Sequence, residues 1–152
     1  MWRVRAKQVV LATGAIERPL VFADNDRPGV MLASAVSVYM QRSAVLPGRS
    51  LVIFTNNDSA YRVVRDAINA GAVVKGVVDL RDDGVVAAAD AARCVGVPVY
   101  RGHVVTAVKS GFRGVNRINI GRLSADGRSV IAHKGSIECD VLAMSGGWNP
   151  TC

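Results

Sequence analysis

A chain of 152 residues, half of them hydrophobic and a fifth charged, can bury the core of one domain and is too apolar to be disordered. Its formal charge of +7 is carried by arginines scattered from Arg3 to Arg128 rather than by one basic stripe, which argues against a nucleic-acid partner. The longest apolar runs, such as Val85 to Ala89, fall far short of a membrane span, and Met1-Trp2-Arg3-Val4-Arg5 does not open a secretory signal, so cytoplasmic residence without membrane contact is expected.

Arg5 to Thr13 reads as a strand, and its unbroken run Val9-Val10-Leu11-Ala12 points to a place deep in a sheet with both faces covered. It ends on Thr13-Gly14, where a backbone without a side chain lets a flat ligand approach. Nothing ahead of it supplies a sheet. Residues 1–14 are therefore expected to be the returning strand of a truncated first nucleotide-binding domain, in a piece of a larger subunit. Residues 15–48 form a crossover linker: Arg18-Pro19, Asp24-Asn25-Asp26 and Pro28-Gly29 are turn formers. A helix follows over Leu32 to Ala44, where Leu32, Ala35, Val36, Tyr39 and Met40 recur at helical spacing until Pro47-Gly48 stops them.

Residues 49–136 read as a second domain. Leu51 to Phe54 is a short buried strand, and Thr55-Asn56-Asn57-Asp58 turns into a helix carrying Ala60, Val63, Val64, Ala67 and Ile68 on one face. Asp58 is placed to cap that helix and Gly71 to end it. Val73 to Asp79 is the next strand, Gly84 to Val95 the next helix, and Val97 to Tyr100 a third parallel strand, making a right-handed βαβαβ unit. Strands at hairpin spacing follow, Val104 to Lys109, Arg117 to Leu123 and Ser129 to His133, and Asp126-Gly127 supplies the turn of a three-stranded antiparallel meander. In residues 137–152 a last strand, Ile137 to Met144, is expected to return toward the first domain and ends on a second glycine tip, Gly146-Gly147. The fold class is α/β, a Rossmann-like three-layer domain with a β-meander.

Cys94, Cys139 and Cys152 are odd in number and lack CxxC spacing, so no disulfide framework or zinc site is indicated, and Cys94 and Cys139 read as small buried hydrophobes. His103 and His133 read as exposed residues at strand edges. No Ser/His/Asp set, paired carboxylates or metal-ligand spacing emerges, so no catalytic or metal-binding residue is assigned.

A dinucleotide-binding loop needs glycines at the first βα turn so that backbone amides can approach a pyrophosphate. Here the stretch is Phe54-Thr55-Asn56-Asn57-Asp58-Ser59-Ala60, in which three side chains crowd the approach and the Asp58 carboxylate repels a phosphate. Asp79, at the end of the second strand, stands where an acid would hold a ribose hydroxyl, or with Asp82-Asp83 caps the next helix; Arg81 beside it would favour a 2′-phosphate. Thr13-Gly14 and Gly146-Gly147 would lie at carboxyl ends of strands, where ligands bind in open α/β sheets.

Lys7 to Pro19, with its Ala12-Thr13-Gly14, resembles the "ATG" strand of the two-dinucleotide-binding-domain flavoproteins, which include thioredoxin and glutathione reductases. Of the Gly-Gly-Gly-Asp/Asn-Ser-Ala loop of thioredoxin reductase-like proteins only Asp58-Ser59-Ala60 match, and the redox CxxC is absent. Phe22 to Ala33, Thr55 to Tyr61 and Ser145-Gly146-Gly147-Trp148-Asn149-Pro150 resemble the α subunits of heterotetrameric sarcosine oxidases. That resemblance runs over essentially the whole chain. It implies an enzyme that oxidises sarcosine to glycine, passes electrons through FAD and FMN to oxygen with formation of hydrogen peroxide, and hands a one-carbon unit to tetrahydrofolate. Its α subunit would bind NAD and assemble with β, γ and δ subunits. Thr13, Gly14, Gly146 and Gly147 would flank that NAD, whereas Asn56, Asn57 and Asp58, with Asp79, would form a degenerate loop. The chain alone is expected to hold no cofactor and not to turn over sarcosine. The alternatives are the equivalent subunit of an opine oxidase or a hydrogen cyanide synthase, a stand-alone nucleotide-binding module, or a docking lobe acting through Tyr39, Met40 and Trp148.

Overall fold

The structure, a computed structural model, describes residues 1–83 and 86–151. In chain order its elements are β1 (Ala15–Glu17), β2 (Val30–Leu32), α1 (Ala33–Ser43), β3 (Ser50–Thr55), a 3₁₀ turn (Asp58–Tyr61), α2 (Arg62–Asn69), β4 (Val73–Asp79), α3 (Val86–Cys94), β5 (Val99–Arg101), β6 (His103–Gly111), β7 (Gly114–Leu123), β8 (Val130–Glu138), β9 (Val141–Ser145) and β10 (Trp148–Pro150). Five of the strands make one parallel sheet in the order β2-β9-β3-β4-β5, and β6-β7-β8 make the antiparallel meander.

Strand pleating splits the sheet's apolar residues between two cores. Leu51, Ile53, Val77, Val141 and Ala143 face the helices and pack with Val36, Met40, Val63, Val64 and Ala67. Val52, Phe54, Val78, Leu142 and Met144 face the meander and pack with Val105, Val108, Ile118 and Ile120. Covering both faces is why these strands read as unbroken hydrophobic runs, and each such side chain contributes about 1.5–3 kcal/mol by leaving water. The result is three layers, helices on a parallel sheet on a meander.

Most of the predicted elements form close to their expected limits, and β4 forms at its expected bounds. The start of the predicted helix at Gly84 lies outside the described residues; what is described runs from Val86 to Cys94. Gly71 and Gly96 end α2 and α3 at φ +83 and +80, the left-handed angles their role demands.

Several expectations are corrected. Arg5 to Thr13 forms no strand: residues 1–14 are irregular and exposed, including Val9, Val10 and Leu11. An apolar strand of that kind needs ladder partners on both sides, and here the first strand of the chain is β1, paired antiparallel with β10. The linker also holds a strand that turn formers concealed, β2, whose three residues lie parallel to β9. Ile137 to Met144 is not one strand. Ile137 and Glu138 finish the meander, and β9 turns into the parallel sheet between β2 and β3. The turn is fixed by Asp140, whose carboxylate accepts the amides of Arg49 at 2.9 Å and Ser50 at 2.8 Å at the foot of β3. Through β9, segment 137–152 thus supplies an interior strand of the parallel sheet before reaching β10. Cys94 is exposed, not buried, whereas Cys139 is buried. His103 is buried because its Nδ1 lies 2.6 Å from the Arg101 carbonyl and its ring stands edge-on to Tyr100.

Candidate functional site

In an open parallel sheet the chemistry sits at the carboxyl ends of the strands. Here that edge is formed by the loop after β3, by Asp79 and Arg81 at the end of β4, and by Ser145 and Gly146 at the end of β9. The structure therefore brings Asn56, Asn57, Asp58 and Asp79 together with the second glycine tip.

The loop is organised by Asn57. Its Oδ1 accepts the Ser59 amide at 3.1 Å, and its Nδ2 donates to the Ser145 hydroxyl at 3.0 Å. The cap of the 3₁₀ turn is thus Asn57, one residue before the expected Asp58, because an extended Asn57 aims its side chain back at the turn's amides. The Thr55 hydroxyl locks the same bend, donating to the Asn57 carbonyl and accepting its amide. The Asn57 and Ser59 amides, which a glycine loop would turn toward a phosphate, are in this way engaged locally.

Asp79 is fully buried, and among the described residues its partners are Tyr61 and Arg81 rather than the amides of a helix start. Its Oδ1 accepts the Arg81 amide at 2.9 Å and Arg81 Nε at 3.1 Å; its Oδ2 accepts the Tyr61 hydroxyl at 2.9 Å and Arg81 Nη2 at 2.9 Å. A carboxylate offers about four acceptor positions, and all are taken. Arg81 Nη2 also donates to Asp58 Oδ1 at 2.8 Å, so one guanidinium ties the start of the 3₁₀ turn to the end of β4. The Asp79 hydrogen bond holds the Arg81 guanidinium above even its ordinary range against the cost of burial. Burial first, and the Asp79 charge second, raise the Tyr61 hydroxyl well above the usual tyrosine value. Arg81 thus faces two carboxylates rather than a space for a 2′-phosphate. Asp82 is engaged too, its carboxylate accepting Arg122 Nη2 at 2.5 Å beside Gly102, where a Cβ would come within 3.1 Å of it.

A dinucleotide does not fit this edge. It would need the acceptors of Asp79, which are spent, the amides of Asn57 and Ser59, which Thr55 and Asn57 engage, and a phosphate beside the Asp58 carboxylate. Among the described residues no group of three or more His, Cys, Asp or Glu could hold a metal ion.

The two glycine tips lie at opposite ends of the antiparallel β1–β10 ribbon, Gly14 beside Thr151 and Gly146-Gly147 beside Arg18. Gly146 N donates to the Arg18 carbonyl at 2.7 Å, Arg18 N to the Gly147 carbonyl at 2.8 Å, and the Thr151 hydroxyl to the Thr13 carbonyl at 2.6 Å. A Cβ on Gly146 would lie 3.0 Å from the carbonyls of both Arg18 and Pro19, so close approach of the chain to itself already requires that glycine. Around Gly14 the space is open.

Sequence reasoning missed the roles of two residues here, and the contact made by a third, Trp148, which it named for docking. Tyr61 figured only at the end of the stretch Thr55 to Tyr61 that carries the resemblance, yet it anchors Asp79. Glu17, almost fully buried, accepts the Ser34 amide at 2.8 Å and so serves α1, which has no side-chain cap of its own. Trp148 Nε1 donates to the Ser59 hydroxyl at 2.9 Å, pinning β10 to the loop. No local pattern signals any of these, since each contact joins distant segments. Met40 is buried in the helix-side core, and Tyr39 and Trp148 stay half-exposed.

No protein-family model matches the chain. It is 44% identical over 151 residues to the sarcosine oxidase alpha subunit of Corynebacterium sp. (strain P-1), covering 99% of this chain and 15% of that protein. The sarcosine oxidase alpha subunit of Rhizobium meliloti (strain 1021) is 40% identical over 153 residues, covering 99% of this chain and 14% of that protein. An opine oxidase subunit of the same strain is 28% identical over 87 residues, 57% of this chain and 19% of its own length. The chain thus spans about 15% of the length of the curated sarcosine oxidase subunits it matches. Among solved structures it is similar to the thioredoxin reductase of T. acidophilum, with TM-score 0.66 and 14% identity over 91% of this chain and 43% of that one. It is also similar to an FAD-dependent pyridine nucleotide-disulphide oxidoreductase of Desulfovibrio vulgaris, with TM-score 0.62 and 17% identity over 97% of this chain and 37% of that one. The fold is that of FAD- and NAD(P)-dependent oxidoreductase domains.

Proposed function

As a homologue of one segment of the sarcosine oxidase α subunit, this chain is, we propose, the second nucleotide-domain-like lobe of such a subunit, acting as scaffold and intersubunit surface rather than as a cofactor site. The observation that carries the proposal is the saturated Asp79 carboxylate at the one edge where this fold holds nucleotides. The intact subunit would contribute to an enzyme that demethylates sarcosine oxidatively to glycine, with FAD, FMN and tetrahydrofolate serving the whole assembly and β, γ and δ subunits as partners. NAD bound by its first domain would lie against Thr13, Gly14, Gly146 and Gly147, which flank the two ends of the ribbon β1–β10. What this chain's own residues do is position those tips, and the loop Asn56 to Asp58 serves the packing of β10 through Ser59 and Trp148. The identity and coverage of the sarcosine oxidase subunits favour them over the opine oxidase protein as the model for this segment.

Calorimetric titration of the purified chain with NAD, NADP and AMP tests the reading. The expected outcome is no affinity tighter than millimolar for any of them. Micromolar binding that disappears in Asp79→Ala would show a working nucleotide module and refute it.

A further inference from the structure

We propose that Arg81 is the residue that shuts this domain to nucleotides, by taking for itself the hydrogen-bonding positions on Asp79 that a ribose would need. The inference rests on the scaffold reading above and gives it a cause.

Two departures from a nucleotide site stand close together here, an acid in the turn after β3 and an arginine after β4. Arg81 accounts for both. It donates three times to Asp79, from its amide, Nε and Nη2, and Nη2 reaches Asp58 at 2.8 Å. A carboxylate in the turn is adverse to a phosphate but favourable to a guanidinium, so Asp58 is explained by Arg81 and not by a ligand. The acid at the end of β4 keeps the place it has in nucleotide sites but has another task, since a fully buried Asp79 requires a partner of opposite charge. A ribose could reach it only by displacing charge-assisted bonds with neutral hydroxyls, which are weaker, while stranding the guanidinium between two carboxylates. At the ribose position the exclusion is then a property of one side chain, laid over a backbone that retains the strand, turn and helix of a binding unit. Among the described residues Tyr61 would remain as the single other side-chain donor to Asp79.

The test uses adenosine, which carries no phosphate and so is not repelled by Asp58, and AMP, which is. In amide-resolved NMR of the whole chain, adenosine is expected to leave the unaltered protein unmoved at millimolar concentration. Arg81→Ala should bind it at least about tenfold more tightly, the effect of one hydrogen bond made rather than forgone, with shifts at Asn56 to Ser59 and at Asp79. AMP should gain comparably only when Asp58→Asn is added. If Arg81→Ala does not fold, Arg81→Gln, which keeps one donor beside Asp79, carries the same comparison. In the unaltered chain the Arg81 Nε–H signal should exchange slowly with solvent and ignore adenosine. A folded Arg81 variant that gains no adenosine affinity, or a rapidly exchanging Nε–H, overturns the inference while leaving the scaffold reading intact. Binding by the unaltered chain would instead remove the scaffold reading, and this inference with it.

Discussion

Cys139 and Tyr61 are acids whose protons the folded chain retains, and the two set its behaviour in alkali. Burial, with the neighbouring Asp140 charge second, pushes the Cys139 thiol up from 9.0 to about 12. Tyr61 is raised in the same sense above 10.0 by burial and by Asp79. For each the unfolded chain gives up its proton first, so the stabilising difference is fully present below the unfolded value and is lost as pH rises toward the folded one. We expect urea unfolding to show constant stability up to about pH 9, set by the free thiol, and then a decline of at most about 1.4 kcal/mol per pH unit for each group. Cys139→Ala should flatten the first part of that decline, between pH 9.0 and 10.0, where Tyr61 does not yet contribute. An unchanged slope in the variant would place the thiol in water. These two side chains illustrate what sequence reveals at this scale: Cys139 entering an apolar strand reads correctly as buried, whereas the Tyr61 contact with Asp79 spans 18 residues and leaves no local trace.

The elements that were legible are those whose period and punctuation agree. The strand Val73 to Asp79 is apolar on the faces it buries and follows a glycine stop, and it forms at those limits. The hairpin at Asp126-Gly127 follows from φ +68 at Gly127, which glycine adopts freely. What could not be read was where one strand becomes two, because the break at Asp140 is made by the amides of Arg49 and Ser50, some ninety positions back. The side chains that crowd the turn after β3 were legible; that Arg81 ties Asp58 to Asp79 was not, since an arginine after a strand equally suits a 2′-phosphate. The crossover and the meander are joined at another glycine. Gly114 has φ +111, and a Cβ there would stand 2.5 Å from the Pro28 carbonyl, which also accepts the Val115 amide at 2.8 Å. Gly114→Ala should therefore destabilise the chain by about 1–3 kcal/mol from backbone strain and clash together, measured by denaturant unfolding. A change within a few tenths would mean that the meander is not anchored to Pro28.

The whole molecule divides into a packed three-layer body and an exposed leading segment, residues 1–14, which contributes nothing to either core. Trypsin should cut first at Arg3, Arg5 and Lys7, and a chain starting at Leu11 should melt within about 2 °C of the full one, since removing exposed residues changes stability by less than about 0.5 kcal/mol. A larger drop would mean that the segment packs on the body. No helix among the described residues is long and apolar enough to cross a membrane.

The position of β9 bears on how such a polypeptide is made. Its backbone fills the gap between β2 and β3, pairing Leu142 with Val30 and with Val52. Those partners leave the ribosome long before Leu142 does, so during translation two ladder edges wait side by side without the strand that belongs between them. Closing the sheet is then a late, long-range event with a high entropic barrier, and these open edges most need a chaperone's shelter in the interval before Leu142 and its neighbours emerge.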